Sequence, residues 1–105
     1  MIEIRNMRAG RPISPWDVRV DRANKILGNK FYMSSESQRD KVCGLYADWF
    51  KTKVEAENDN DVKTELERLK AIYELYGKLH LWCFCAPKRC HAETIRDWLL
   101  NQSKF

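Results

Sequence analysis

The chain has 105 residues, of which 44% are hydrophobic and 32% are charged, with a formal net charge of +4. This length suits a single domain spanning residues 1–105, and the composition excludes a disordered tail. No apolar run approaches the roughly 20 residues of a membrane helix, and the first six residues lack the apolar core of a secretion signal. We therefore expect a cytoplasmic protein without a membrane contact.

The first third of the sequence predicts two short strands and two loops. Residues 2–5 alternate apolar and charged side chains, which indicates a weak first strand. Two prolines and a glycine then break regular structure, so residues 7–16 are expected to form a loop. Residues 17–21 alternate cleanly and predict a second strand, whereas residues 24–29 are expected to be a loop.

A capping box predicts where the first helix begins. Residues 35–38, Ser-Glu-Ser-Gln, place a hydroxyl at the N-cap and an amide side chain three residues later. Apolar side chains then recur at helical spacing and predict a buried stripe: Val42, Leu45, Tyr46, Trp49 and Phe50. Cys43 lies off the centre of this stripe and is interpreted as a packing residue.

A second helix is predicted after the polar break at residues 55–61. Asp61 is the expected N-cap, and Gly77 follows the helix as the expected left-handed stop. The predicted buried stripe contains Leu66, Leu69, Ile72, Tyr73 and Tyr76.

The last third predicts a strand over residues 79–85 and a final helix after Pro87. The strand is apolar on both faces apart from His80, which is typical of a central strand covered on both sides. The element order is therefore β-β-α-α-β-α. It favours an α/β fold, a small three-layer Rossmann-like domain with the C-terminal strand buried at its centre.

Three of the four cysteines crowd into residues 83–90, with a histidine next to the last of them. Without a secretion signal these cysteines are expected to be reduced thiols or metal ligands. Zinc is one reading, because Cys83, Cys85, Cys90 and His91 offer four ligands of the right chemistry. The Cys-x-Cys-x4-Cys-His spacing departs from the usual Cys-x2–4-Cys, so structural or reactive thiols are the alternative.

The predicted start of the last helix combines Cys90 with neighbouring positive charge. A thiol at a helix N-terminus beside Lys88 and Arg89 is expected to have a lowered pKa. Cys90 would then be the nucleophile, with His91 or His80 as the acid or base. The helix lacks a usual N-cap, so its free N–H groups are expected to meet the Cys90 sulfur, water or a bound anion.

Residues 83–91, Cys-Phe-Cys-Ala-Pro-Lys-Arg-Cys-His, resemble the Cys-Trp-Cys-Ala-Pro-x-x-Cys-His signature of a small uncharacterised family of bacterial and phage proteins. Three further segments correspond to family features, over residues 20–22, 28–31 and 46–49. The chain departs from the family pattern at Phe84, Lys30 and Asp21, where the family has Trp, Pro and Gly. The resemblance implies a fold and a site, and it implies no activity.

A ligand site follows if the second and third strands run parallel, because their carboxyl ends then meet at one edge of the sheet. The residues expected at that edge are Arg22, Gly28, Asn29, Cys85, Pro87, Cys90 and His91. Gly28 would permit close backbone approach, Asn29 would supply a directional hydrogen bond, and Arg22 a positive charge. The alternative is that residues 28–29 form only a turn.

Two functions are therefore predicted. The first is binding or processing of a nucleotide or nucleic-acid phosphate, with Cys90 and His91 as catalytic residues and Arg22, Gly28, Asn29 and Pro87 as ligand contacts. The second is a noncatalytic phage or bacterial interaction protein that binds a protein partner and whose Cys/His cluster is structural, with zinc as its candidate metal.

Overall fold

The computed structural model describes residues 1–102. The strands are β1 (Ile2–Asn6), β2 (Asp17–Arg19) and β3 (Leu79–Cys83), and the helices are α1 (Arg39–Glu55), α2 (Asp61–Tyr76) and α3 (Ala92–Gln102). A short 3-10 turn, Glu36–Gln38, precedes α1. The predicted order of strands and α-helices is confirmed.

The three strands form one parallel sheet in the order β1-β3-β2. Leu81 of β3 lies opposite Ile4 on one side and Val18 on the other. Four of the five β3 residues are buried, and His80 is partly buried. A strand covered on both faces has no solvent side to present, which explains its nearly continuous apolar sequence.

The helices supply the rest of the hydrophobic core. α3 contacts β1 and β3, α2 contacts β3, and α1 contacts α2. Fully or almost fully buried side chains come from every one of these elements except β1: Tyr46, Phe50, Leu66, Leu69, Leu79, Leu81, Ile95 and Leu99. Each buried leucine contributes about 1.5–3 kcal/mol. The structure is thus a mixed α/β domain with three helices and a three-stranded parallel sheet, whereas the Rossmann-like arrangement stays a prediction.

Two predicted strand ends and two stripe positions are wrong. β3 ends at Cys83, because the Cys83 carbonyl accepts the last sheet hydrogen bond, from Met7, and the chain then turns away. β2 ends at Arg19, two residues early, where the Arg19 side chain pairs with Asp21. Leu45 and Tyr76, expected in buried stripes, are 41% and 40% exposed.

Neither predicted N-cap caps its α-helix: Ser35 precedes the 3-10 turn and Gln38 is the N-cap residue of α1, whereas the cap of α2 is displaced by one residue. Ser35 makes no side-chain capping bond; the Gln38 side chain instead accepts hydrogen bonds from the N–H and hydroxyl of Ser34. Asn60, rather than Asp61, caps α2 by accepting from the N–H of Lys63 at 3.1 Å. At the other end of α2 the prediction is confirmed, since Gly77 adopts the left-handed conformation with φ 70°.

Within residues 1–102, no helix combines the length and the apolar character needed to cross a membrane.

Candidate functional site

A cavity of about 340 Å³ opens at the carboxyl ends of β2 and β3. Its volume lies at the lower end of the range for small-molecule pockets, roughly 300–1,000 Å³. The lining residues are Asp21, Arg22, Asn29, Phe31, Met33, Arg39, Val42, Cys43, Cys83, Phe84, Cys85, Cys90 and His91. Because β2 and β3 are parallel, the segments that follow them meet here, as expected from the sequence.

The cavity brings together six of the predicted site residues: Arg22, Asn29, Cys83, Cys85, Cys90 and His91. Gly28 and Pro87 are not among the described residues of its lining. A Cβ on Gly28 would lie 2.5 Å from the Asn24 carbonyl oxygen and 2.6 Å from that of Asp21. Gly28 therefore permits a close approach to the backbone of its own loop. The prediction that it permits a close approach to a ligand has no support from this packing.

The loop after β2 is held by Asn24 and by α1. The Asn24 side chain accepts hydrogen bonds from two loop N–H groups and donates to the Arg19 carbonyl and the Glu65 carboxylate. The buried Tyr46 hydroxyl donates to the Leu27 carbonyl at 2.6 Å. These contacts fix the loop against the core, so the side chains at its end reach the cavity from a rigid support.

Two side chains of this loop carry polar groups to the cavity. Asn29 Oδ1 accepts from the Phe31 N–H at 2.9 Å, which orients the amide. The Arg22 guanidinium donates to the carbonyls of Asn29 and Phe31, at 3.3 and 3.5 Å, and lies 4.2 Å from the centre of the Tyr32 ring. Among residues 1–102 no carboxylate pairs with Arg22, so its charge is available to a ligand.

A second guanidinium, that of Arg39, was not predicted from the sequence. It forms a two-pronged pair with the Glu36 carboxylate, at 2.8 and 2.7 Å, and donates to the Arg89 carbonyl at 2.8 Å. It also interacts with Cys85. The Glu-x-x-Arg spacing at the start of α1 signals the pair with Glu36, but no local signal points to Cys85, which is 46 residues away.

Two of the three clustered cysteines, Cys83 and Cys90, are in direct contact, and Cys85 interacts with Cys90. Cys83 Sγ and Cys90 Sγ lie 3.4 Å apart in the core, and Cys90 also hydrogen bonds to Cys85, which is only half-buried. Backbone N–H groups of Cys85 and Ala86 donate to the Cys83 sulfur, and that of Ala92 donates to the Cys90 sulfur. The Cys90 sulfur thus accepts a hydrogen bond from a backbone N–H at the start of α3. Of the three acceptors predicted for these N–H groups, the sulfur, water and an anion, this one is the sulfur.

Hydrogen bonding among these thiols lowers the pKa of two of them and raises the pKa of the third. Hydrogen bonding with Cys90 lowers the pKa of Cys85 to about 5, with a contribution from Arg39, and lowers that of Cys83 to about 6. The single Cys90 proton can serve only one of these two sulfurs at a time. The pKa of Cys90 is raised by its bonds to Cys83 and Cys85 and by burial. The prediction of a lowered pKa at Cys90 is therefore wrong, and the acidic thiol beside the cavity is Cys85.

The charges expected to act on Cys90 lie elsewhere. Lys88 Nζ lies 3.4 Å from the Glu36 carboxylate, and Arg89 pairs with Asp40 at 3.0 Å. Both partners stand at or before the first turn of α1. The two basic residues therefore connect the loop after β3 to α1 at the surface.

Both histidines predicted as acid or base are engaged in structural contacts. His91 is 5% exposed, its Nε2 bonds to the Val20 carbonyl, and its ring centre lies 5.0 Å from that of Tyr46. Burial lowers its pKa, so the neutral ring donates this bond. His80 Nδ1 contacts Asp17 Oδ1 at 2.8 Å. His91 contributes a wall to the cavity, and its Nε2 is committed to the backbone.

Zinc binding by the Cys/His cluster stays a prediction. Within residues 1–102 no group of three or more His, Cys, Asp or Glu side chains is arranged to hold a metal ion. Of the four predicted ligands, His91 uses its Nε2 for the hydrogen bond to the Val20 carbonyl.

Comparison with known proteins identifies a family. No curated protein and no solved structure matches the chain significantly. A family model described as a domain of unknown function, DUF4326, matches residues 4–101, which is nearly the whole chain. The predicted resemblance to an uncharacterised family is confirmed at this level. The chain belongs to the DUF4326 family.

Proposed function

We propose that the cavity binds a nucleotide or the phosphate end of a nucleic acid, in a small Rossmann-like protein of the cytoplasm. The observation that carries this proposal is the presence of two guanidinium groups, Arg22 and Arg39, and the Asn29 amide around one cavity. Ligands of open parallel sheets bind past the carboxyl ends of the strands, which is where this cavity lies.

Arg22 is the principal phosphate ligand in this proposal. A guanidinium presents several N–H donors in a fixed plane, which suits the oxygens of a phosphate. Arg22 has no carboxylate partner among the described residues, whereas Arg39 is already balanced by Glu36. Arg39 therefore orients one edge of the ligand and adds little net charge.

The apolar part of the lining suits a nucleobase. Phe84 is 45% exposed and lies on the cavity wall with Phe31 and Met33. Aromatic rings stack on bases irrespective of their sequence, with about 1–3 kcal/mol per base. Cys90 and His91, predicted as a catalytic pair, have structural roles in this proposal: Cys90 hydrogen bonds to Cys85, and His91 holds the backbone at Val20.

The second candidate function is a noncatalytic bacterial or phage protein that binds a protein partner. It is favoured by one observation, the burial of Cys83, Cys90 and His91 with their hydrogen bonds satisfied inside the fold. Under this alternative, substitutions of the cluster lower the melting temperature, and no small ligand binds the cavity.

Calorimetric titration with AMP, adenosine and a 5′-phosphorylated single-stranded DNA tests the proposal. We expect AMP to bind at least about tenfold more tightly than adenosine, as a charge-assisted hydrogen bond contributes about 1.5–3 kcal/mol. The DNA arm separates a free nucleotide from a nucleic-acid end. Arg22→Ala should weaken AMP binding by a similar factor. Equal affinity for adenosine, or the absence of binding by all three probes, would contradict the proposal.

Lys51→Ala is the matched control for Arg22→Ala. Lys51 is exposed on α1 and is not part of the described cavity lining, yet its removal changes the net charge by the same amount. AMP affinity should stay within about twofold of the unmodified protein, because exposed charges beyond a Debye length of about 8–10 Å are largely screened. A loss equal to that of Arg22→Ala would mean that AMP responds only to overall charge.

A further inference from the structure

The three clustered sulfurs differ in their access to the cavity. All three line the cavity, but Cys83 and Cys90 are only 1% and 4% exposed, whereas Cys85 is half-buried. Cys90 Sγ lies 3.4 Å from Cys83 Sγ and also interacts with Cys85. We propose that Cys83, Cys85 and Cys90 form a thiol–disulfide exchange centre, in which Cys85 attacks a small disulfide in the cavity and Cys90 resolves the product. This proposal does not rest on nucleotide binding.

Cys85 has the surroundings of an attacking sulfur. The Arg39 side chain, which is only 16% exposed, interacts with the Cys85 sulfur. The Cys90 thiol donates a hydrogen bond to the same sulfur. Both contacts favour the thiolate, which is the nucleophilic form of cysteine. The same contacts hold the pKa of Cys85 at about 5, so the anion predominates at neutral pH.

The first two steps reduce the substrate. The Cys85 thiolate attacks one sulfur of a disulfide R–S–S–R′; the S–S bond breaks, and R′–S⁻ leaves and takes a proton from water. Cys90 then attacks Cys85 Sγ, which breaks the mixed disulfide and forms a Cys85–Cys90 disulfide. The Cys90 proton goes to the departing R–S⁻. In total, two cysteine thiols are oxidised and one substrate disulfide is reduced to two thiols.

Cys83 supplies a third step. Its sulfur lies 3.4 Å from Cys90 Sγ, and closing to the disulfide length of about 2.05 Å is a small side-chain movement. Cys83 gives its proton to water and attacks Cys90 Sγ, which breaks the Cys85–Cys90 bond and releases Cys85 as a thiolate. The disulfide then joins the two buried cysteines, and Cys85 is again free at the cavity.

The lining also indicates which disulfides react. Within the described part of the chain, Arg22 places an unpaired positive charge on the cavity wall, whereas Arg39 is paired with Glu36 and Asp21 with Arg19. A disulfide carrying carboxylates should therefore react faster than one carrying amines. Oxidised glutathione and cystamine are suitable probes of the two kinds.

The test is mass spectrometry of the full chain after incubation with oxidised glutathione at pH 7 and acid quenching. The unmodified protein should lose two hydrogens, and peptide mapping should place the disulfide between Cys83 and Cys90. Cys90→Ser should stop at a glutathione adduct on Cys85. Cys83→Ser should stop at a Cys85–Cys90 disulfide, and Cys85→Ser should react at least about tenfold more slowly. Circular dichroism confirms that each variant is folded.

Cys43 is the internal control: it lines the same cavity, but it is only 5% exposed and burial raises its pKa, so its thiolate is disfavoured. It should remain unmodified in every sample. The proposal is overturned if Cys85→Ser reacts at the original rate, if Cys90→Ser gives no adduct on Cys85, or if cystamine reacts as fast as oxidised glutathione. Exchange without AMP binding would contradict only the nucleotide proposal, and AMP binding without exchange would contradict only this one.

Discussion

The segments that follow β2 and β3 both end at the cavity, but they use their polar groups differently. After β2, residues 20–31 form hydrogen bonds mainly with one another, through Asn24 and Gly28. The hydroxyl of Tyr46 donates a further bond to this segment. After β3, residues 84–91 bring two thiols toward a third, that of Cys83 at the end of the strand. The first segment is a rigid frame, and the second carries titratable groups.

This difference separates recognition from reactivity within one cavity. The frame after β2 presents a guanidinium and an amide in fixed positions, which suits binding. The loop after β3 presents a half-buried thiol whose acidity depends on Cys90 and on Arg39 from α1. Substitutions in the first segment should therefore act through stability and affinity, and those around the second should act through thiol reactivity.

The largest expected effect is that of Gly28→Ala on stability. The new Cβ would lie 2.5 and 2.6 Å from two backbone oxygens, which cannot move without distorting the loop. Overpacking of this kind costs about 1–3 kcal/mol, and backbone neighbours place the change at the upper end. The free energy of unfolding in urea measures the loss.

Gly44→Ala is the matched control for that substitution. Gly44 lies inside α1, and its Cβ would meet nothing within 4 Å. Alanine is favoured over glycine in a helix interior by about 0.5–1 kcal/mol, so this variant should be more stable than the original protein. Equal losses at Gly28 and Gly44 would contradict the rigid-frame description of residues 20–31.

Tyr46→Phe removes the hydrogen bond that joins α1 to the same segment. The Leu27 carbonyl would lose its buried donor, at an expected cost of about 1–3 kcal/mol in the free energy of unfolding. Tyr32→Phe serves as the control, because Tyr32 is 79% exposed and should tolerate the change within about 0.5 kcal/mol. A stable Tyr46→Phe variant would show that Asn24 and Gly28 suffice to hold the loop.

Most of the fold was accessible to sequence reasoning, because its signals are local. The apolar run of β3, the stripe of α2 and the glycine after it each depend on residues within one element. The cap of α2 was displaced by one residue because Asn60 and Asp61 are adjacent and both are good N-caps. At α1 a 3-10 turn intervenes between Ser35 and the helix. Tyr76 follows helical spacing, but it stands at the end of α2 where burial is incomplete.

The site was only partly predictable, because its chemistry depends on long-range contacts. Parallel pairing of β2 and β3 was the condition for gathering Arg22 and Cys90, and the structure satisfies it. No spacing rule indicates that His91 bonds to Val20, since a sequence pattern does not give the direction of a ring. Arg39 was missed for the same reason, as only tertiary packing brings α1 against the loop after β3.

Arg39→Gln should raise the pKa of Cys85, whose neighbours are the Cys90 thiol, Arg39 and Glu36. With a pKa of about 5, Cys85 in the unmodified protein should react with iodoacetamide at a nearly constant rate above about pH 6 and more slowly as the pH falls through 5. A rise of one pKa unit slows the reaction at pH 5 by severalfold and at lower pH by about tenfold.

Arg96→Gln controls for the loss of an arginine, because Arg96 pairs with Asp97 on α3 and is not part of the described cavity lining. Its pH profile for alkylation of Cys85 should coincide with that of the unmodified protein. Coincident profiles for Arg39→Gln and the unmodified protein would show that Cys90 alone sets the acidity of Cys85.

The smallest effect is expected for Lys88→Ala. Lys88 is 62% exposed and its partner Glu36 is 59% exposed, so solvent screens the pair and its loss should change the free energy of unfolding very little. The pH profile of Cys85 should shift by much less than in Arg39→Gln. A shift as large as that of Arg39→Gln would mean that a basic residue of the loop after β3, and not only Arg39, lowers the pKa of Cys85.

The most direct test of the cavity as a phosphate-ligand site is a titration of ¹⁵N-labelled protein with AMP, followed by amide chemical shifts. Binding of AMP in the cavity should give saturable shifts concentrated at Arg22, Asn29 and Cys85, and the amides at the outer face of α2 should stay unchanged. Absence of saturable shifts, or shifts centred on α2, would contradict it.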